Sequence, residues 1–202
     1  RELGSFFMLV ATAAPGAARA LARLASAEAE GKHKKQSGGR GQFGVAMVRF
    51  APRPRGSGYE FIDSIKGGSI PRQFIPAVDK GIQEALGRGV LAGYPMIDIS
   101  AEVIDGKYHA VDSDEMSFRM AGIQAVKSAA TEVRPDLLEP IVRLTVRAPE
   151  EYTGDIMGDI NAKRGRVLGM DTDGSMRVVT AEAPMAEVQR YAIDLRSMTS
   201  GR

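Results

Sequence analysis

The sequence predicts an α+β chain built as two successive units. Short runs alternate apolar and polar residues, as in Val142, Leu144 and Val146 against Arg143, Thr145 and Arg147, the period of a half-buried strand. Between such runs lie stretches with apolar residues at helical spacing, such as Ile75, Val78, Ile82 and Leu86. A length of 202 residues, 44% hydrophobic and 26% charged, suits one or two domains with their own cores.

Residues 1–29 read as an atypical segment. Phe6–Val10 is strand-like, Pro15 sits at a helix start, and ten of residues 11–30 are Ala, which predicts a helix to about Glu30. Arg1, Phe6–Ala14 and Ala18-Arg19-Ala20 imitate a secretory signal only loosely. The Arg- and Ala-rich lead imitates a transit peptide no better. The apolar stretch is too short to span a bilayer. The chain starts with Arg, so it reads as a fragment of a longer protein.

The first unit is expected over residues 30–137. Gly31–Gly41 holds no apolar residue and reads as a loop. Phe43–Phe50 is a strand, Ala51–Gly58 a turn, and Tyr59–Ile65 the returning strand. The helix through Ile75 and Leu86 ends at Gly87 or Gly89. Met96–Asp105 is a strand, and Asp105-Gly106 turns the chain. Asp112-Ser-Asp-Glu115 is a D-x-x-E capping box opening a helix to about Thr131, with Met116, Met120, Ile123 and Val126/Lys127 roughly on its buried side. Pro135 marks a stop.

The second unit is expected over residues 138–202. After its first strand, Glu150–Arg164 is helical, with Tyr152, Ile156 and Ile160 at spacing four and Gly165 as cap. Arg166–Asp171 and Ser175–Ala181 form a hairpin about Asp173-Gly174. Pro184–Ser197 is the last helix, with Met185, Val188, Ala192 and Leu195 inward. Strand-helix-strand-strand-helix is a βαββαβ unit that lacks its last strand.

Composition narrows the chemistry. With no Cys, disulfides, thiolate catalysis and cysteine metal sites are excluded. Two His exclude a His-rich metal centre. The absence of Trp and 6% aromatics argue against binding by base stacking. Gly39-x-Gly41-x-x-Gly44 matches a dinucleotide fingerprint, but a basic loop precedes it and a strand follows, so that reading is rejected. No G-x-x-x-x-G-K-[ST] occurs, so the chain is not expected to bind GTP by itself. Glu30 and His33 share E-x-x-H spacing without a further ligand nearby. Asp112, Asp114 and Glu115 suit a helix N-terminus better than a catalytic cluster. No catalytic constellation assembles.

Charge is uneven beneath a net value of +2. Gly31–Arg55 carries Lys32, Lys34, Lys35, Arg40, Arg49, Arg53 and Arg55 and no acid. One reading is a solvated loop. The other is phosphate contact, with Gly38, Gly39 and Gly41 allowing close backbone approach. Few aromatics and a tight Gly loop favour structured RNA read by shape. His109 sits in a strand-to-helix turn, where it is either merely exposed or placed to stack or hydrogen bond on a nucleotide. Lys163, Arg164 and Arg166 complement a helix C-terminus or contact RNA.

Seven runs carry a resemblance. They are Gln36–Gly44 (QSGGRGQFG), Gly89–Pro95 (GVLAGYP), Tyr108–Ser113 (YHAVDS), Leu138–Ile141 (LEPI), Pro149–Tyr152 (PEEY), Gly158–Asn161 (GDIN) and Asp194–Ser197 (DLRS). In this order, over residues 30–202, they resemble the fourth and fifth domains of bacterial elongation factor G. Gly31-Lys-His-Lys-Lys-Gln resembles the paralogous elongation-factor-G-like branch.

The resemblance implies a ribosomal-protein-S5-like domain followed by an incomplete ferredoxin-like one. It implies a ribosome-binding part of a factor that drives GTP-dependent translocation of tRNA and mRNA. The tip of the first domain would enter the decoding centre, with Gly38, Gly39, Arg40, Gly41, Gln42 and His109 on RNA. Asn161, Lys163 and Arg164 would meet large-subunit RNA near the sarcin–ricin loop. The implied mechanism is steric and electrostatic, with no catalytic residue, cofactor or metal in this chain. GTP and Mg belong to the family's GTPase domain. A cytoplasmic monomer without membrane contact is expected. Ribosome recycling, ribosomal protection and a non-functional gene fragment are the competing readings. Finally, Gly4-Ser-Phe-Phe-Met8 resembles the start of the family's last strand, so residues 4–10 are a candidate to fill the vacant sheet position.

Overall fold

The structure, a computed structural model, describes residues 8–13, 21–23, 26–36, 39–90, 93–132 and 135–199. Near the start of the chain β1 (Met8–Ala13) and β2 (Leu21–Arg23) are strands, and β3 follows at Ala27–Lys35. The expected helix to Glu30 is therefore absent at residues 21–23 and 27–30. Ala propensity loses there to sheet pairing.

The first unit runs from Leu21 to Leu138, so it reaches back before the expected start at residue 30. β3 pairs antiparallel with β4 (Gln42–Pro52), from Ala27 opposite Phe50 to Lys35 opposite Gln42. Residues 31–35 of the expected loop are therefore strand. β5 (Glu60–Asp63) does not return along β4. It pairs parallel with β6 (Ile99–Lys107), giving the order β3-β4-β6-β5. Asp105 and Gly106 lie inside β6 rather than at a turn. Two helices, α1 (Ile75–Arg88) and α2 (Glu115–Glu132), pack together, and α2 also lies on β3 and β4. β7 (Asp136–Leu138) pairs with β2.

The core sits between sheet and helices. Val48, Phe50, Ile70, Val78, Ile82, Ile99 and Phe118 are at most 1% exposed, each worth about 1.5–3 kcal/mol in burial. Phe74 stacks on Phe118 at 5.1 Å. The buried face of α2 is small: Ser117, Phe118, Ala121, Gly122, Ala125, Val126 and Ala129. Met116, expected inward, is exposed. Small residues let α1 approach so closely that a Cβ on Gly81 would lie 2.0 Å from the Arg119 carbonyl oxygen.

The second unit holds β8 (Ile141–Pro149), α3 (Thr153–Ala162), β9 (Arg166–Asp173), β10 (Met176–Pro184), α4 (Met185–Val188) and α5 (Tyr191–Met198). Its sheet has the order β1-β8-β10-β9. The sheet is therefore not short of a strand: β1 takes the position beside β8, antiparallel, from Met8 opposite Arg147 to Ala13 opposite Val142. Residues 8–10 of the candidate segment sit there, and residues 4–7 lie outside the described residues.

Leu144, Val146, Ile156, Ile160, Val179, Ala181, Tyr191 and Leu195 form this unit's core. The expected last helix breaks at Gln189-Arg190, which turns Tyr191 inward and leaves Ala192 exposed. At the end of α3, Arg164 rather than Gly165 takes the left-handed conformation, with φ 57°.

Candidate nucleic-acid interface

β4 begins where the Gly-rich loop ends, and β6 delivers the His-bearing turn to the same end of the first unit. The two segments, some 70 residues apart, are joined by hydrogen bonds. The Phe43 amide donates to the Asp112 carbonyl at 2.9 Å, and the Gly41 amide donates to Asp112 Oδ1 at 3.1 Å. Ser113 Oγ donates to the Phe43 carbonyl at 2.7 Å and accepts from the His109 amide at 2.8 Å. Arg40 Nε donates to the Val111 carbonyl at 2.9 Å. A Cβ on Gly41 would lie 2.9 Å from the Asp112 carboxyl, which would have to shift to admit it.

These bonds reassign the acidic cluster. Asp114, not Asp112, caps α2, its Oδ1 accepting from the Ser117 amide at 2.7 Å. Burial pushes the Asp114 carboxyl up. The Ser117 side chain and amide, with the positive fields of Arg40 and His33, outweigh burial and hold it below the usual range. Asp112 ties the loops instead. Asp112 and Ser113 lie in the run that carries the family resemblance, but the sequence reads them as a helix start and not as the joint between the two loops.

His109 is exposed beyond this frame. Its Nδ1 accepts from the Asp112 amide at 3.2 Å, and its ring meets Phe43 edge-on at 6.5 Å. Nδ1 also lies 3.4 Å from Asp112 Oδ2, so the turn engages this nitrogen and Nε2 is the one left for an outside partner. Gln42 Oε1 lies 2.9 Å from His33 Nε2. Gly39 and Arg40 are exposed beside them, and Gly38 lies outside the described residues. Arg40, Gln73, Phe74, Tyr108, His109 and Glu115 help line a cleft of about 570 Å³ on the flank of this tip.

The sheet face turned away from the helices is electrically polarised. At the tip end Lys32, Val45 and Lys107 lie in one row across β3, β4 and β6, with Lys34 two residues along. Lys32, Lys34, Lys35 and Lys107 are exposed and make no ion pair among the described residues. At the far end Arg49 is spent between Glu28 and Glu102, at 2.7 and 2.9 Å. The Ser64 hydroxyl and Arg49 hold Glu102 below the usual carboxylate range. The basic run read from the sequence is therefore not one patch. β4 spans eleven residues, roughly 35 Å at about 3.3 Å each, which separates Arg53 and Arg55 from the tip. Arg53 is bound to the carbonyls of Ser57 and Gly58 and to Glu60.

The predicted cations of the second unit are internally paired. Lys163 lies 3.0 Å from Asp194 and 3.9 Å from Asp159. Arg164 bridges Glu139 and Glu187, both at 3.0 Å, and Arg166 reaches Glu182 at 3.7 Å. Asn161 is exposed on the last turn of α3. Among the described residues no cluster of three His, Cys, Asp or Glu is placed to hold a metal, and no helix is long and apolar enough to cross a membrane.

Comparison with known proteins matches this arrangement. The family model for elongation factor G, domain IV, matches residues 20–134, and that for the elongation factor G C-terminus matches residues 136–202. Elongation factor G of Aquifex pyrophilus is 51% identical over 173 residues, 86% of this chain and 25% of that protein. A crystal structure from Thermus thermophilus superposes with TM-score 0.75 at 44% identity, covering 91% of this chain and 27% of the other. The chain thus spans about a quarter of the length of the relatives it matches. With both models matched in order along nearly all of its length, the chain belongs to the elongation factor G family.

Proposed function

We propose that this chain is the ribosome-binding portion of a translation elongation factor, whose first unit inserts its tip into the decoding centre during GTP-dependent movement of tRNA and mRNA. The supporting observation is the tip itself. Two distant segments are bonded into one projection that presents Gly39, Arg40, Gly41, Gln42 and His109, and the lysines behind it make no ion pair among the described residues. Hydrogen-bond donors at the front and phosphate-neutralising charge behind suit a folded RNA read by shape. Gly38 belongs to the same loop by sequence.

The action is mechanical. The projection occupies space that tRNA and mRNA must vacate, and its donors hold the paired strands as they move. GTP and Mg are assigned to the remainder of the family's length, and this portion works as a cytoplasmic monomer without cofactor. The second unit meets large-subunit RNA near the sarcin–ricin loop through the α3 end. Asn161 is free to contact RNA there, whereas Lys163 and Arg164 would first have to leave their carboxylates.

Chemical footprinting tests the reading. The chain is added to ribosomes carrying mRNA and tRNA, and decoding-centre nucleotides are probed. Protection there, weakened by His109→Ala and Arg40→Ala, is expected. Protection elsewhere only, or none, would overturn the assignment.

A further inference from the structure

Resting on that reading of the tip, we propose that His33 is a positioning residue: it sets the Gln42 amide so that its donor side faces RNA. His33 lies on the helix-facing side of β3, in line with the buried Ala29 and Gly31. Its register partner is Gly44, so no side chain stands directly across from the ring. The ring reaches instead to the diagonal neighbour on β4, Gln42, a distance aromatic side chains can span. His33 Nε2 donates to Gln42 Oε1 at 2.9 Å, and both groups are half-buried.

A glutamine amide carries one carbonyl oxygen and one NH2 in a single plane, diverging from Cδ. With the carbonyl engaged by His33, rotation of that plane is blocked. The NH2 then points away from His33 and has no partner among the described residues. A fixed donor selects acceptors. On an A-form duplex the wide shallow groove displays ribose 2′-hydroxyls and base-edge acceptors. His33 thereby holds the Gln42 NH2 in place, without the cost of fixing it on binding, for an acceptor such as a ribose 2′-hydroxyl, which a DNA duplex of the same sequence lacks.

The test measures binding of the whole chain to a short RNA duplex and to its DNA counterpart at low salt. Wild type should prefer RNA about three- to tenfold, the scale of one neutral hydrogen bond. His33→Phe keeps the ring and removes the donor, so Gln42 is free to rotate and the preference should fall by about twofold or more while DNA affinity stays. His33→Gln restores a donor at similar reach and should recover it. Gln42→Leu removes the amide altogether and should lose the preference. Adding His33→Phe to Gln42→Leu should lower it no further. A wild-type chain indifferent to ribose would overturn the tip reading and this inference together. A wild-type preference that survives undiminished in either His33→Phe or Gln42→Leu would overturn this inference alone.

Discussion

The tip of the first unit and the α3 end of the second carry similar charge in sequence and opposite availability in space. At the tip, Lys32, Lys34, Lys35 and Lys107 stand exposed without ion pairs among the described residues. At the α3 end, Lys163 and Arg164 are engaged by Asp194, Asp159, Glu139 and Glu187. A cation that already has a carboxylate must lose it before it can neutralise a phosphate, whereas the first set could do so without breaking an ion pair. Partnering, rather than charge count, separates a binding surface from a fastening.

The sharpest way to break that contrast is a salt titration of ribosome affinity. Replacing Lys32, Lys34 and Lys107 together with Gln should lower the slope of log affinity against log salt by about 2, at roughly 0.7–0.9 for each phosphate no longer neutralised. Replacing Lys163 and Arg164 with Gln should leave the slope unchanged. Equal slope changes in the two variants would erase the distinction.

The next effect is on the joint within the tip. Ser113 is 7% exposed and makes two side-chain hydrogen bonds, one to the Phe43 carbonyl and one from the His109 amide. Ser113→Ala leaves both backbone groups unsatisfied, and about 2–3 kcal/mol of stability should be lost in urea unfolding. Hydrogen exchange should speed up in residues 39–44 and 108–113, with no change in the second unit.

Asp114→Ala should cost about 1 kcal/mol at pH 7 as a lost helix cap. The pH dependence has a defined sign. The folded carboxyl titrates below the usual value near 4, so its contribution is complete above that value and disappears as pH falls through the lower, folded one. Urea midpoints measured from pH 7 downward should show wild type and variant converging in that acid window. A constant gap would mean that the cap does not depend on ionised carboxylate.

The contrast also shows what a sequence can and cannot disclose. β8 is legible because Val142, Leu144 and Val146 face a core while Arg143 and Arg147 do not. β3 is not, because its inward positions are Ala29, Gly31 and His33, kept small or polar by the close approach of α2. β5 is misplaced in a sequence reading because nearness along the chain suggests a hairpin, whereas its partner β6 lies beyond a whole helix. The Gly loop and His109 stand out through the family resemblance. Asp112 and Ser113, which join those segments across 70 residues, carry no periodicity and resemble an ordinary cap. Lys163 and Arg164 look available in the sequence because Asp194, Glu139 and Glu187 are distant along the chain and adjacent only in the fold.

Lys163 gives the smallest effect and the most direct reading of a fastening. Its side chain is 22% exposed and its partner Asp194 is 40% exposed, so solvent screens the pair and Lys163→Met should cost at most about 1 kcal/mol. The hydrogen bond to Asp194, with the fields of Asp159, Asp194 and Glu187, outweighs burial and raises the Lys163 pKa above its ordinary value near 10.4. A raised base stabilises fully below the unfolded pKa and loses that contribution as pH rises through the folded one. Wild type should therefore converge on Lys163→Met at strongly alkaline pH, and 1 M salt should narrow the gap at pH 7. Ribosome affinity should be the same for both proteins throughout the neutral range. A variant that keeps its stability but binds ribosomes more weakly would show that Lys163 leaves Asp194 for phosphate, and the α3 end would then join the tip as a binding surface.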